Sequence, residues 1–145
     1  MKYELYNFWI PGEPRGKGRH RTTKSGHTYP DPKTEIYENL IKTEFEKKYP
    51  DHVPFFGTVH AEINAYFSIP TSWSKKKKQR ALLGTVQPTR VPDLDNIEKV
   101  IYDALNKIAF TDDSHVTQHT TRKLYSERPG VDVYLKFLIL EPEDE

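Results

Sequence analysis

The chain contains no cysteine among its 145 residues, which excludes disulfide bonds and thiolate metal sites. It also lacks any apolar run near the ~20 residues that are needed to cross a bilayer. The amino terminus has no apolar stretch followed by a cleavage site of the kind that marks a secretory signal. We therefore expect a cytoplasmic protein without membrane contact.

Net charge is nearly absent as well, at +1, but the charges are unevenly distributed. Residues 1–29 carry six lysines and arginines against only Glu4 and Glu13, and residues 75–80 hold four lysines and Arg80 without an acid. The excess of acidic residues lies in the middle of the chain and in its tail. Basic segments around an acidic centre suit a polyanion that is handled through bound metal ions. Two solvated surface runs are the alternative.

The length and the patterning predict one domain, residues 1–145, of the α+β class. We expect a small mixed or antiparallel sheet of about four strands with two main helices. Residues 12–32 are rich in glycine and proline and predict a basic arm, and residues 141–145 form an acidic tail. The predicted strands are 4–10, 58–69, 115–126 and 131–140, and the predicted helices are 33–48, 73–83 and 96–108.

Three local features accompany these elements. Asp95 is the expected N-cap of the third helix, with Glu98 completing a variant of the capping box. Ser72 or Ser74 is expected to cap the short basic helix. Residues 127–130 predict a hairpin turn that joins the last two strands.

The most informative motif is acidic. Asp93 and Asp95 are two residues apart, so in an extended segment both carboxylates point the same way, and Lys99 follows Asp95 by one helical turn. Asp112 and Asp113 come after the helix, where the chain turns back toward the sheet. Carboxylate oxygens are the ligands that Mg²⁺ prefers, and a lysine in reach can offset the charge of a phosphate. The motif predicts a divalent metal site that acts on phosphodiesters.

Each part of this motif has a simpler explanation. Asp95 suits an ordinary helix cap, Asp-x-Asp also occurs in sugar-nucleotide transferases and phosphatases, and Asp112 with Asp113 suits a turn. Their combination in a small chain with basic segments favours the metal site. Asp103, four residues after Lys99, is placed to orient that lysine through an i,i+4 pair.

Two basic segments are candidates for contacts with DNA phosphates. Cations in the arm alternate with small residues, which would let them follow a backbone, and the lysine run offers a second surface. A disordered basic loop and a solvated helix face are the respective alternatives. The candidate residues are Arg15, Lys17, Arg19 and Arg21 in the arm and Lys75, Lys76, Lys77 and Lys78 in the run.

The acidic motif resembles that of the RusA family of Holliday junction resolvases. The resemblance rests on Pro-Asp-Leu-Asp-Asn at 92–96, Lys99, Asp-Ala-Leu at 103–105 and the Asp-Asp pair, and extends from about Tyr6 to Leu140. The opening Gly-Glu-Pro-Arg-Gly-Lys-Gly-Arg-His-Arg at 12–21 and the order of elements are also similar to those of the family.

This resemblance implies a homodimeric, Mg²⁺-dependent endodeoxyribonuclease that resolves four-way DNA junctions by paired, symmetric incisions. Mn²⁺ is the expected substitute ion, no nucleotide cofactor is implied, and such proteins are often encoded by prophages. The implied catalytic residues are Asp93, Asp95, Lys99 and Asp113, and the implied metal ligands are Asp93, Asp95, Asp112 and Asp113. The spacing between Asp103 and the Asp-Asp pair is one residue shorter than in some members, which leaves the choice between Asp112 and Asp113 open.

Other functions fit parts of the sequence. A less selective nuclease that acts on flaps or other branched DNA would use the same residues. A catalytically inactive junction-binding protein would be expected to have lost at least one of them. A sugar-nucleotide transferase is less consistent with the chain, which is short and has no evident βαβ nucleotide-binding pattern.

Overall fold

A four-stranded mixed sheet forms the centre of the molecule. The computed structural model describes residues 2–144, so Met1 and Glu145, the last residue of the predicted acidic tail, lie outside it. In spatial order the strands are β1 (Lys2–Pro11), β6 (Gly130–Ile139), β4 (Val59–Ser68) and β5 (Val116–Ser126). β6 is antiparallel to β1 and to β4, whereas β4 and β5 are parallel. Together with three helices, this sheet confirms the predicted α+β class.

Apolar residues alternate along the sequence of the central strand β4, and their burial follows this alternation. Its inward side chains are fully or almost fully buried, and most of the intervening ones are half-buried. Asn64 is the exception, because it is buried on the opposite face, where it donates to Glu62 and accepts from Arg122. Those bonds offset the cost of burying an amide. The inward residues are Val59, Ala61, Ile63, Ala65 and Phe67.

Two helices cover the inward face of the sheet. α1 (Pro32–Lys48) lies against β1, α3 (Leu94–Leu105) lies against β5, and the helices contact each other. The apolar stripe of α3 is buried as its spacing predicts. The helix is shorter than expected, because Lys107 adopts a left-handed backbone with φ of 66°, which the predicted helix to residue 108 cannot contain.

The predicted hairpin between the last two strands is wrong. β5 and β6 both pair with β4, one on each side, so they are not neighbours. The connection at 127–129 therefore passes over the end of β4. Local sequence correctly marks a tight reversal there, but it carries no information about a strand that inserts from a distant part of the chain.

The short basic helix α2 (Lys75–Leu82) packs on β5. Ser74, one of the two predicted caps, accepts a hydrogen bond from the backbone N–H of Lys77 at 3.2 Å. Trp73 packs edge-on against Tyr125 at 5.2 Å between ring centres, and the Lys77 ammonium lies 3.9 Å from the centre of the Trp73 ring. Trp73 thus attaches α2 to the sheet.

The predicted arm is more ordered than a loop. It contains an exposed two-stranded ribbon, β2 (Arg21–Thr22) and β3 (Thr28–Tyr29), whose connection uses Gly26 at φ of +87°.

A short 3₁₀ turn, Asp113–His115, precedes β5, and another, Pro142–Asp144, follows β6. Within residues 2–144, none of the helices has the length and apolar character required to span a membrane.

The packing of α3 predicts a large difference between two isoleucines. Ile101 is 0% exposed, whereas Ile36 on α1 is 70% exposed. Ile101→Ala should lower the free energy of unfolding by about 2–5 kcal/mol, because it removes buried methyl groups and leaves a cavity. Ile36→Ala is the matched control and should change it by less than about 0.5 kcal/mol. Urea unfolding measures both values, and equal losses would contradict this packing.

Candidate active site

The acidic motif lies at the amino-terminal end of α3, with a different cap from the one predicted. Asp93, not Asp95, occupies the N-cap position, with φ of −71° and ψ of 158°, and its carboxylate makes no capping hydrogen bond. Asp95 lies in the first turn of the helix. The expected cap at Asp95 is therefore wrong, and neither side chain is used to complete the hydrogen bonds of the helix end.

The proposed capping role of Glu98 is also wrong. Its carboxylate accepts a hydrogen bond from the Thr121 hydroxyl at 2.5 Å and lies 3.0 Å from Nε2 of His119. The other ring nitrogen of His119 is 2.8 Å from the Tyr102 hydroxyl. Burial, reinforced by the charge of Glu98, raises the pKa of Tyr102. These four side chains join α3 to β5 beside the candidate site. Local sequence patterns do not predict their contacts, because the two elements are far apart along the chain.

The Asp-Asp pair divides into two different environments. The Asp112 carboxylate caps the 3₁₀ turn and accepts from both the backbone N–H and the hydroxyl of Ser114. These bonds lower the pKa of Asp112. Asp113 donates its backbone N–H to the side-chain oxygen of Asn106 at 3.0 Å, which fixes its main chain while its carboxylate stays exposed.

Three carboxylates of the motif share one property. Asp93, Asp95 and Asp113 are all exposed, and in the part of the chain from 2 to 144 none of them makes a side-chain hydrogen bond or an ion pair. Carboxylate oxygens that are not engaged by other side chains are suitable ligands for a hard divalent cation. However, residues 2–144 contain no group of three or more histidine or acidic side chains that is arranged to hold a metal.

Lys99 forms the predicted pair with Asp103. Its ammonium is 3.4 Å from Oδ2 of that residue, one helical turn further along α3, and its side chain is 62% exposed. The same oxygen is 3.0 Å from the ammonium of Lys17, which also lies 3.1 Å from Glu38. One carboxylate oxygen of α3 is thus shared between a helix lysine and an arm lysine.

The position of Lys17 differs from that expected of a DNA contact. Its side chain is only 20% exposed and lies between two acids. Burial acts to lower the pKa of Lys17, but the hydrogen bonds of Asp103 and Glu38 outweigh burial and raise it. The ammonium therefore remains charged, and its charge is matched within the protein.

The arm reaches this position because it lies directly on α3. The backbone N–H of Lys17 donates to the carbonyl of Asn96 at 3.1 Å, and a Cβ at Gly16 would stand 2.9 Å from Pro92 and from Asn96. Gly18 donates to the Thr34 hydroxyl at 2.8 Å. Glycine at position 16 thus permits a close approach between the arm and the acidic motif.

The other three predicted arm contacts fall into two groups. Nε of Arg21 is 2.9 Å from Asp31, whose carboxylate also caps α1, and this guanidinium holds the pKa of Asp31 below its ordinary value. Arg15 and Arg19 are exposed and form no ion pair within residues 2–144. Of the four predicted arm contacts, these two have the most freedom to meet a phosphate.

A cleft of about 340 Å³ opens where the arm and α3 meet. Lys99 and Asp103 form one wall, and Lys17, Gly18 and His20 form the other. No local pattern indicates His20 or Glu38 as neighbours of the candidate site, because only the folding of the chain brings them close to it.

The predicted run Lys75, Lys76, Lys77 and Lys78 lies on α2, where the ammonium of Lys77 lies over the ring of Trp73.

Comparison with known proteins identifies the family of the chain. The family model for Endodeoxyribonuclease RusA matches residues 11–136. A protein of Bacillus subtilis (strain 168), Uncharacterized protein YqaN, is 34% identical over 138 residues, which cover 92% of this chain and 96% of that protein. The family match includes the arm, the acidic motif and all three helices. The chain belongs to the RusA family of endodeoxyribonucleases.

Proposed function

We propose that this protein is a divalent-metal-dependent, structure-selective endonuclease that resolves four-way DNA junctions by paired, symmetric incisions. The observation that carries the proposal is a set of exposed carboxylates, Asp93, Asp95 and Asp113, that have no side-chain partner within residues 2–144 of a chain from an endodeoxyribonuclease family. Lys17 of the arm and Lys99 of α3 are paired with Asp103, another acid of that helix, and not with these three carboxylates.

The proposed ligands of Mg²⁺, with Mn²⁺ as substitute, are Asp93, Asp95 and Asp113. When bound, the ion would supply a hydroxide near neutral pH and stabilise charge on the leaving oxygen. Mg²⁺ is often held by one or two carboxylates together with substrate phosphates, so a preformed cluster of three acids is not required. Asp112 would support the site through the turn that it caps.

Lys99 would act on the scissile phosphate. Its exposed ammonium at the wall of the cleft can approach a phosphate oxygen and offset the charge that develops as the phosphodiester is attacked. The pairing with Asp103 restricts the directions that the long side chain can take. Orientation of this kind lowers the entropic cost of reaching the transition state.

Binding would come from the basic segments around these residues. Arg15 and Arg19 would contact backbone phosphates close to the acidic motif, and Lys75, Lys76 and Lys78 on α2 would form a second surface. Such contacts supply affinity without reading sequence. We further propose a homodimer, because two incisions related by symmetry require two sites in a fixed relation.

The first test is cleavage of a synthetic four-way junction beside a flap, linear duplex and single strand, each with Mg²⁺, with Mn²⁺ or with EDTA. We expect paired, metal-dependent cuts confined to the junction. Asp95→Asn should abolish cleavage and retain junction binding, because it removes a proposed ligand and no basic contact. Asp51→Asn, an exposed aspartate in the turn after α1, is the matched control and should cut normally.

Four other outcomes would contradict parts of this proposal. Equal cutting of all substrates would identify a general nuclease, and preference for the flap would identify a flap nuclease. Binding without cutting under either metal would identify a junction-binding protein. Loss of binding together with cutting in Asp95→Asn would show that Asp95 has a structural role.

The two acids of the Asp-Asp pair should differ in their effects. Asp113→Asn should reduce the cleavage rate by a factor of at least about 10², the range found when a transition-state interaction is removed. Asp112→Asn should have a smaller effect, because the carboxylate of Asp112 is already bonded to Ser114 and an amide oxygen can still accept those bonds. Single-turnover rates at saturating protein measure both, and the reverse order would assign the essential acid to Asp112.

Salt dependence distinguishes the arm cations from one another. Replacing Arg15 and Arg19 together by Ala should reduce the slope of log affinity against log salt by about 1.8, or about 0.9 for each duplex phosphate that is no longer neutralised. Arg21→Ala should change the slope less, because Asp31 already pairs with that guanidinium. Titration of a junction at several salt concentrations measures the slopes. An unchanged slope in the double variant would show that the arm points away from DNA.

A further inference from the structure

Four charged side chains form a continuous chain that ends at the candidate site. Glu38 of α1 lies 3.1 Å from Lys17 of the arm, Lys17 lies 3.0 Å from Asp103 of α3, and Asp103 lies 3.4 Å from Lys99. The charges alternate and sum to zero. Three segments that are distant in sequence are thus linked through one row of ion pairs.

Lys17 is the central cation of this row. Its backbone is held by the carbonyl of Asn96, its ammonium contacts two acids, and its side chain is 20% exposed. Ion pairs between exposed side chains contribute little, since ordering two long side chains costs entropy. The bonded backbone and the partial burial of Lys17 already limit the conformations of its side chain. Its ion pair with Asp103 therefore costs less entropy and can hold that carboxylate in one place.

Lys99 depends on Asp103 for its own orientation. Asp103 is its ion-pair partner in residues 2–144, and the Lys99 side chain is otherwise largely exposed at the wall of the cleft. A carboxylate that is free to rotate would orient a flexible lysine poorly. A carboxylate held by a second, more tightly placed ammonium restricts that lysine better.

We propose that Lys17 is a positioning residue, which fixes Asp103 and thereby holds Lys99 in the direction of the phosphate. The effect of this positioning on cleavage rests on the proposed function. Lys17 would contribute to the rate of the chemical step, whereas Arg15 and Arg19 would contribute to DNA affinity.

A suitable variant must preserve the local charge. Lys17→Met alone would leave Glu38 and Asp103, both partly buried, without a shared cation. The double variant Lys17→Met/Glu38→Gln removes one charge of each sign and keeps the side-chain sizes similar. Lys17→Arg tests for rescue, because a guanidinium can still contact both acids. Lys47→Met, which breaks the pair with Glu44 elsewhere on α1, is the matched control.

The first readout does not require cleavage. Each protein is treated briefly with an amine-acylating reagent, and the labelling of Lys99 is measured by mass spectrometry of its peptide. We expect Lys99 in Lys17→Met/Glu38→Gln to react several-fold faster than in the unaltered protein, because its ion pair is less persistent. Lys17→Arg and Lys47→Met should react like the unaltered protein. The proposal would be overturned if the double variant had the melting temperature of the unaltered protein and its Lys99 were labelled at the same rate or more slowly.

The second readout is single-turnover cleavage of the four-way junction beside equilibrium binding. The double variant should decrease the rate about 10- to 100-fold, the size expected for a misplaced catalytic group, with unchanged affinity and salt slope. Lys17→Arg should recover most of the rate. A weaker affinity with a reduced salt slope would make Lys17 a DNA-binding residue and overturn the proposal. Absence of cleavage by the unaltered protein would instead refute the proposed function, and the labelling result would still stand or fall by itself.

Discussion

The parallel pairing of β4 with β5 is the constraint on which the rest of the structure depends. Two parallel strands cannot be joined by a tight turn, so the chain must cross from one end of the sheet to the other. The connection at 69–115 makes this crossing, and it contains α2, the acidic motif and α3. All of the candidate catalytic residues are therefore held on a segment whose two ends are fixed by β4 and β5.

The electrostatics of the site follow from a division among its charges. Lys17 and Arg21 of the arm and Lys99 of α3 are paired with Glu38, Asp103 and Asp31, which are not among the proposed metal ligands. Within residues 2–144, Asp93, Asp95 and Asp113 have no such partner. This division leaves the three carboxylates free for the metal ion that we propose.

The sequence predicted the elements better than their arrangement. Alternation in β4 and the apolar stripe of α3 are local patterns, and both were correct because burial repeats with the period of the backbone. The order of strands and the separation of β5 from β6 depend on contacts between distant segments, which local patterns do not contain. The cap at Asp93 rather than Asp95 reflects a shift of two residues, a size of error typical of helix ends. In the site, the Lys99–Asp103 pair was accessible from its spacing, but the engagement of Lys17 with Glu38 was not.

The close approach of Gly16 to Pro92 and Asn96 also has a consequence for the motions of the molecule. The hydrogen bond from Lys17 to the Asn96 carbonyl attaches the arm to the first turn of α3, where a helix would otherwise fray. Opening of the arm and opening of that turn are then parts of one cooperative event rather than two independent ones. The local stability of the acidic motif therefore depends on the arm, which comes from the other half of the chain. Contacts that stabilise the arm also increase the fraction of time for which the motif is ordered.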